Sequence, residues 1–218
     1  SLGSANQVVA VNAGANALEF QNAASGDCVK ILTVNGAGAA DIYMDNVFTD
    51  TYKYYRFVYG NLKLSGHSNG AWLRIGFRTG GASGANHGGT YYIKHYEIYG
   101  DESTKTTTNG VQNDSVGCQV QNTWNQQTDG SPSATSSNTT YAPYRGSAML
   151  DFFNPTQDNY KPSFLYKTVW NDGGHIGFSD GIGYNNSKIT TGGITGLRIN
   201  CEGHNIASGF FTVYGFKL

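Results

Sequence analysis

The sequence predicts an all-β protein: an antiparallel, jelly-roll-like β-sandwich preceded by a short extended N-terminal connector. Its 218 residues include 30 Gly and only 13% charged residues, a composition that excludes helical bundles and coiled coils. Apolar residues make up 39% of the chain and aromatic residues 13%, which is enough for a core and excludes intrinsic disorder. Short runs of about five to nine residues alternate between apolar and polar positions, as half-buried strands do.

The connector is predicted over residues 1–26, and the sandwich domain over residues 27–218. Within the connector two short apolar patches, Val8–Val11 and Ala17–Phe20, are separated by a turn at Gly14 and Asn16. Neither patch is long enough to bury itself, so the connector needs a neighbouring domain or other copies of the chain. The side chains expected to lie against other chains, or against the base of the sandwich, are Val8, Val9, Val11, Leu18 and Phe20.

Strands follow one another from residue 27 onward. The clearest is Trp72–Arg78, where Leu73, Ile75 and Phe77 are predicted to point inward and the intervening arginines outward. Each run is bounded by Gly, Asn, Asp or Pro, which favours antiparallel strands joined by turns. The other predicted strands are Tyr52–Tyr59, Tyr91–Tyr99, Ser147–Phe153, Ser163–Trp170, Gly193–Cys201 and Phe210–Leu218.

Long polar connections separate some of these strands. Thr79–Thr90 is rich in glycine, and Asp101–Thr140 is predicted to contain at most one or two strands, around Val116–Trp124. Long loops on a β scaffold either carry binding residues or are simply solvated, and the sequence leaves both open. The acidic glycine sequences at residues 172–174 and 180–181 are predicted to be turns, with a calcium site as an alternative.

Several function classes lack support in the sequence. Fourteen Lys and Arg balance 15 Asp and Glu, so no basic field attracts nucleic acid, and no apolar stretch is long enough to span a bilayer. Five scattered histidines lack zinc-site spacing, and the paired glycines lack the lysine of a phosphate loop, so we expect no metal and no cofactor. The odd set of cysteines, predicted to be free buried thiols, is Cys28, Cys118 and Cys201.

A glycoside hydrolase would need two facing carboxylates about 5–10 Å apart. No carboxylate of this chain stands in a recognisable acid–base motif, so the sequence predicts a protein that is not an enzyme, although folding could still assemble a pair. The candidates in strands or at strand ends are Asp41, Asp45, Glu97, Asp151 and Glu202.

The sequence feature that does indicate a function is its set of aromatic residues. Saccharides offer apolar C–H faces that stack on rings, and hydroxyls that bond amides and carboxylates, so a glycan site needs planar rings displayed among polar residues. Rings in a β protein also fill the core, which is the competing interpretation at every position. The candidate glycan-binding residues are Tyr91, Tyr92, Trp124, Asn125, Tyr141, Tyr144, Trp170 and Asp172.

Two segments resemble a known family. Residues 3–20 (GSANQVVAVNAGANALEF) resemble the G-x-A-N-Q-V-L-x-V-N-x-G-x-x-A-L-E-F element of bacteriophage tail-fibre proteins. Residues 194–215 resemble the I-x-G-I-R … G-N-I-A-S-G-x-F-x-L-Y-G end of their C-terminal domains, although His204 replaces a residue that is often small. Residues 51–57 and 71–77 are similar to two strands of the same domain. The resemblance does not extend to the region from Asp101 to Tyr144.

The resemblance implies a virion structural protein, a tail-fibre tip that attaches to a host-surface glycan. It implies a homotrimer, since phage fibres are usually trimers, and contacts with other virion proteins on a phage tail or other surface appendage. Two alternatives stay open: a purely structural component such as a head fibre, capsid decoration or collar protein, and a polysaccharide depolymerase tip.

Overall fold

A computed structural model describes residues 7–11, 14, 16–22, 27–64, 72–100, 105–122, 146–171, 176–201 and 204–217. Within these ranges the chain forms antiparallel strands, one short 3₁₀ turn at Gly81–Ser83 and no α-helix. The strands are β1 (Gln7–Val11), β2 (Leu18–Asn22), β3 (Cys28–Asn35), β4 (Asp41–Met44), β5 (Tyr54–Leu64), β6 (Trp72–Thr79), β7 (Ala85–Asn86), β8 (Tyr91–Gly100), β9 (Lys105–Asp114), β10 (Cys118–Asn122), β11 (Gly146–Phe153), β12 (Ser163–Asn171), β13 (Ile176–Asn185), β14 (Gly196–Cys201) and β15 (Ile206–Phe216).

Two antiparallel sheets pack face to face, which confirms the predicted all-β sandwich. The larger sheet has eight strands in the order β3-β15-β5-β11-β12-β13-β8-β9. The smaller sheet has the order β10-β6-β14-β4, with β7 paired to β6. Rings from both sheets meet in the core, where the centroids of Phe77 and Phe164 lie 5.9 Å apart with one ring edge-on to the other.

The alternation predicted for individual strands is confirmed. Leu73, Ile75 and Phe77 of β6 are fully buried, and so are Tyr55 and Phe57 of β5. Because successive side chains of a strand point to opposite faces, the residues between them turn away from the core.

The two apolar patches of the connector form strands β1 and β2, which pair in a hairpin with Val11 opposite Leu18. Its sheet contains these two strands alone, as far as the described ranges extend. The side chains of Val9, Val11 and Leu18 are 58%, 58% and 70% exposed in the single chain. The side chains of Val8 and Phe20 lie outside the described residues.

Several local predictions are wrong. Asp180 and Gly181 do not form a turn, because they lie inside β13, paired with Tyr96 and His95 of β8. The region after Asp101 contains the long strand β9 in addition to β10, and β9 forms the edge of the larger sheet. Cys28 is exposed at the start of the edge strand β3, whereas the other two cysteines are buried as predicted.

Candidate functional site

The side of the smaller sheet that faces away from the core is held by ion pairs. Arg78 binds Asp45 through two nitrogens, Arg198 donates to Asp41 over 2.7 Å, and Arg74 lies 2.7 Å from Asp114. These pairs neutralise the charges of this surface and tie neighbouring strands and loops together. A binding surface is therefore expected on the other sheet.

The outward side of the eight-stranded sheet, which we call the outer face, displays several large apolar side chains. Isolated exposed hydrophobic residues are normal, but a contiguous patch of them marks a binding surface. Apart from Tyr43 and the β1–β2 hairpin, the exposed large apolar side chains of the described residues all lie on this face. They are Tyr96, Phe153, Leu165, Val169, Ile182 and Phe210, each 36–52% exposed.

The sequence of β13 explains how this face arises. Along IGFSDGIGYN the side chains of Phe178, Ile182 and Tyr184 point outward, while the core side of the strand is occupied by Gly177, Ser179, Gly181 and Gly183. A β-carbon at Gly183 would collide with the ring of Phe164, so the core has no space for a side chain there. This strand has the alternation of a half-buried strand with the large side chains on the solvent side.

Two aromatic rings stack on the outer face where β8 and β13 pair. Tyr92 and Tyr184 are directly opposite each other, with ring centroids 5.2 Å apart and planes 15° from parallel. We call them the tyrosine pair. Beneath them, on the core side, the buried Cys118 thiol lies 3.4 Å from the Tyr92 carbonyl oxygen, and burial raises the pKa of that thiol so that it stays protonated.

Neighbouring residues fix the ends of the strands that carry the tyrosine pair. The preceding residue in β8, Tyr91, points into the core, where its hydroxyl donates to the His87 carbonyl over 2.7 Å. Burial raises the pKa of Tyr91 to about 12. The residue after Tyr184 is the fully buried Asn185, whose side-chain amide donates to the Gly88 carbonyl over 3.2 Å. The tyrosine pair is therefore displayed by an anchored backbone.

A second aromatic group lies nearer the opposite edge of the outer face. The ring of Tyr54 stacks on Phe153 at 5.0 Å and contacts Phe216 at 4.7 Å. The Arg56 guanidinium lies 5.7 Å from the Tyr54 centroid and binds Asp151 through two nitrogens, at 2.7 and 3.0 Å. Burial, and then the hydrogen bond that its hydroxyl donates to Asp151, raise the pKa of Tyr54 to about 12.

Between the two aromatic groups the outer face is concave, with a pocket of about 490 Å³. Cross-strand pairing places Lys167 opposite Asp180, and Ile182 opposite both Leu165 and Lys94. The lining thus combines apolar side chains with polar groups that can donate or accept hydrogen bonds, the usual composition of a small-molecule site. The side chains that line it include Lys94, Met149, Asp151, Leu165, Lys167, Asp180 and Ile182.

The fold also places polar side chains on the core side of the same strands. Glu97, Thr168 and Ser179 are buried in one cross-strand row, and Tyr166 lies 3.2 Å from Ser179 through its hydroxyl. The His95 ring nitrogen Nε2 is 3.6 Å from a Glu97 oxygen, too long for a strong hydrogen bond. Burial lowers the pKa of His95 and raises that of Glu97, because it disfavours the charged form of each side chain.

Of the predicted glycan-binding residues, the structure brings Tyr92 to the outer face. The prediction for Tyr91 is wrong, because its ring is 1% exposed and belongs to the core. The backbone of Trp170 lies in β12, but its side chain is outside the described residues. Trp124, Asn125, Tyr141, Tyr144 and Asp172 lie entirely outside them.

Sequence reasoning missed the stacking partner of Tyr92. Only the register of β8 and β13 identifies Tyr184 as this partner, because 91 residues separate the two tyrosines in the chain. The alternation of small and large residues along β13 could have indicated a strand that displays its large side chains, Tyr184 among them, on one face.

The described residues contain neither a cluster of metal ligands nor a membrane-spanning helix. No group of three or more His, Cys, Asp or Glu is arranged there to hold a metal ion. No helix in these ranges is long and apolar enough to cross a membrane.

Comparisons with known proteins do not identify a family for this chain. No protein-family model matches the chain, and no curated protein matches it. Among solved structures, it is similar to a GH43 glycoside hydrolase whose engineered active site gives both endo-xylanase and exo-arabinofuranosidase activity. The TM-score is 0.31 and the identity 10%, over 85% of this chain and 34% of that one. The chain thus spans about a third of that protein, and a similarity this low carries no argument about fold or activity.

Proposed function

We propose that the chain is a bacteriophage virion structural protein, the tip domain of a tail fibre, and that it attaches to a host-surface glycan without catalysing a reaction. The virion role rests on the resemblance of residues 3–20 and 194–215 to tail-fibre proteins. The binding role rests on one structural observation: the tyrosine pair lies beside a concave pocket on an exposed, apolar sheet face.

The geometry suits a saccharide. Rings that lie on a sheet face present planes and edges to which the C–H face of a sugar can pack, and the tyrosine hydroxyls add hydrogen-bonding groups at their rims. Asp180, Lys94 and Lys167 supply donors and acceptors within the adjoining pocket. A shallow open site of this kind binds weakly, and three linked copies in a fibre tip would raise the effective concentration and so the avidity.

The first test is binding to a glycan array by the full chain and by Tyr92→Ala and Tyr184→Ala variants. Loss of one stacked ring should weaken binding at least about tenfold, the loss typical of an aromatic anchor. Tyr43→Ala is the control, because Tyr43 is 46% exposed on the other sheet. If no glycan is bound at high protein concentration, or if all three variants bind equally, the proposed binding role is wrong.

The exposed outer face also favours a second candidate, a purely structural virion component such as a head fibre, capsid decoration or collar protein. In that case the apolar side chains would contact neighbouring subunits instead of a sugar. Locating the protein in an electron-density map of the whole particle separates the two, because an outer face covered by other virion proteins supports the structural role.

An enzymatic role as a depolymerase tip is the third candidate, since Asp151 and Asp180 both line the pocket. Asp151 is already engaged by Arg56 and Tyr54, and Glu97 lies on the core side of β8. Incubation of the protein with host polysaccharide distinguishes a depolymerase from a protein that only binds. New reducing ends that disappear on replacement of Asp151 by Asn would overturn the non-enzymatic proposal.

A further inference from the structure

Charge is unevenly distributed over the molecule. The described charged residues on the outer face are four cations, Lys30, Arg56, Lys94 and Lys167, and two carboxylates, Asp151 and Asp180. The whole chain has a formal net charge of −1. The outer face is therefore cationic on a protein that is slightly anionic overall.

The two carboxylates leave a local excess of positive charge. Asp151 is held by both Arg56 nitrogens, so that pair is neutral as a unit. Asp180 lies opposite Lys167 across the strands and diagonal to Lys94. Neither lysine forms an ion pair with any described residue, so Asp180 balances one of them at most and the pocket carries a net positive charge.

Lys94 is a cation on the same strand as one member of the tyrosine pair. It follows Tyr92 by two residues in β8, so the two side chains share a face about 7 Å apart along the strand. Ile182, which lies opposite Lys94 in β13, is likewise two residues from Tyr184. A sugar ring stacked on the tyrosine pair would therefore place its substituents within reach of the Lys94 ammonium.

We propose that this site selects acidic saccharides, in which a carboxylate or sulfate group of the sugar binds beside Lys94 while the ring packs on the tyrosine pair. This inference rests on the proposed function, because it names the ligand class of the same outer-face site. The lysine is exposed, so its contribution is modest and sensitive to salt, and the rings supply the larger part of the binding.

The experiment uses the full chain and four soluble probes: oligogalacturonate, its methyl ester, a sulfated galactan and the neutral galactan. Calorimetric titration at low and high NaCl concentration gives the affinity for each. We expect each acidic probe to bind about threefold to tenfold more tightly than its neutral counterpart at low salt, and this preference to shrink at high salt. The carboxylate and sulfate arms separate the two sources of negative charge.

Two matched variants locate the effect. Lys94→Gln should weaken binding of the acidic probes about threefold to fivefold more than binding of the neutral probes, because it removes the charge of one partly solvated ion pair but keeps a hydrogen-bond donor. Lys30→Gln makes the same charge change on the same face, but six strands away, about 29 Å. That exceeds the screening length of about 10 Å at 0.1 M NaCl, which serves as the lower salt concentration, so Lys30→Gln should leave the affinity for every probe unchanged.

The outcomes separate the two proposals. If neutral and acidic probes bind equally, or if Lys94→Gln and Lys30→Gln behave alike, the acidic selectivity is overturned while glycan attachment stands. If none of these probes binds and the glycan array is also negative, the proposed function fails and this inference fails with it.

Discussion

At the residue scale, His95 and Glu97 are the buried titratable groups whose effects on stability oppose each other. Burial lowers the pKa of His95 from its usual 6.5, so the folded chain binds this proton less tightly than the unfolded chain. Its contribution to stability is present above pH 6.5 and is lost as pH falls through 6.5 toward the folded pKa. Burial raises the pKa of Glu97 from its usual 4.5, so its contribution is present below pH 4.5 and is lost as pH rises through the folded value.

Two substitutions isolate these contributions. The free energy of unfolding of His95→Gln, relative to the unmodified chain, should rise as pH falls below 6.5, because the variant no longer loses that contribution. The same difference for Glu97→Gln should rise as pH increases above 4.5. Urea unfolding at several pH values between 4 and 8 measures both, and a flat difference curve for either variant contradicts the role given to that residue.

Sequence patterns identified single residues where alternation was strong. Leu73, Ile75 and Phe77 follow the period of two and fill the core, so their burial was predictable. Tyr91 and Tyr92 show the limit of this approach. Adjacent residues of a strand must face opposite sides, so the sequence indicates that only one of them is displayed, but it does not say which. That choice depends on the partner strand and on the His87 carbonyl that receives the Tyr91 hydroxyl.

At the element scale, one arginine bonds several groups of the connection between β6 and β8. Arg78 donates to the Asn86 side chain over 2.7 Å and to the Gly84 carbonyl over 2.8 Å, while it also binds Asp45. Its guanidinium lies 4.3 Å from the Tyr43 ring centroid. These bonds use the planar fork of the guanidinium, which lysine does not reproduce.

We therefore predict that Arg78→Lys lowers the free energy of unfolding by about 2–3 kcal/mol, since a largely buried charge loses most of its partners. The matched control is Arg198→Lys. Arg198 is more exposed, with side-chain exposure of 21% against 9% for Arg78, and has one hydrogen bond to Asp41. We expect it to cost less than about 1 kcal/mol. Urea unfolding measures both, and equal losses would refute the special role of Arg78.

Whole strands were harder to predict where their residues lack apolar alternation. β9 reads KTTTNGVQND, which is polar almost throughout, and it forms only because it pairs with β8 along its full length at the sheet edge. β13 contains glycine at alternate positions and was partly mistaken for a turn, because isolated glycine usually indicates one. In both strands tertiary pairing overrides local preference.

At the scale of the whole molecule, the exposed large apolar side chains of the described residues, apart from Tyr43, occupy two surfaces. One is the outer face, to which we assign glycan binding. The other is the β1–β2 hairpin, where Val9, Val11 and Leu18 are more than half exposed. An isolated two-stranded hairpin is marginally stable in water, so this one needs something to pack against. Contacts between copies join surfaces of separate chains, so a solution experiment tests the predicted trimer.

We predict that three hairpins pack together and hold the chain as a trimer. Removal of residues 1–26 should therefore convert the trimer to a monomer, and the full-length double variant Val9→Asp, Leu18→Asp should do the same, because carboxylates would be buried without partners. Light scattering gives the mass in solution. Circular dichroism shows whether the sandwich stays folded, as expected if the hairpin contributes nothing to its core. A trimer that survives both changes would mean that the sandwich, and with it part of the outer face, makes the subunit contacts.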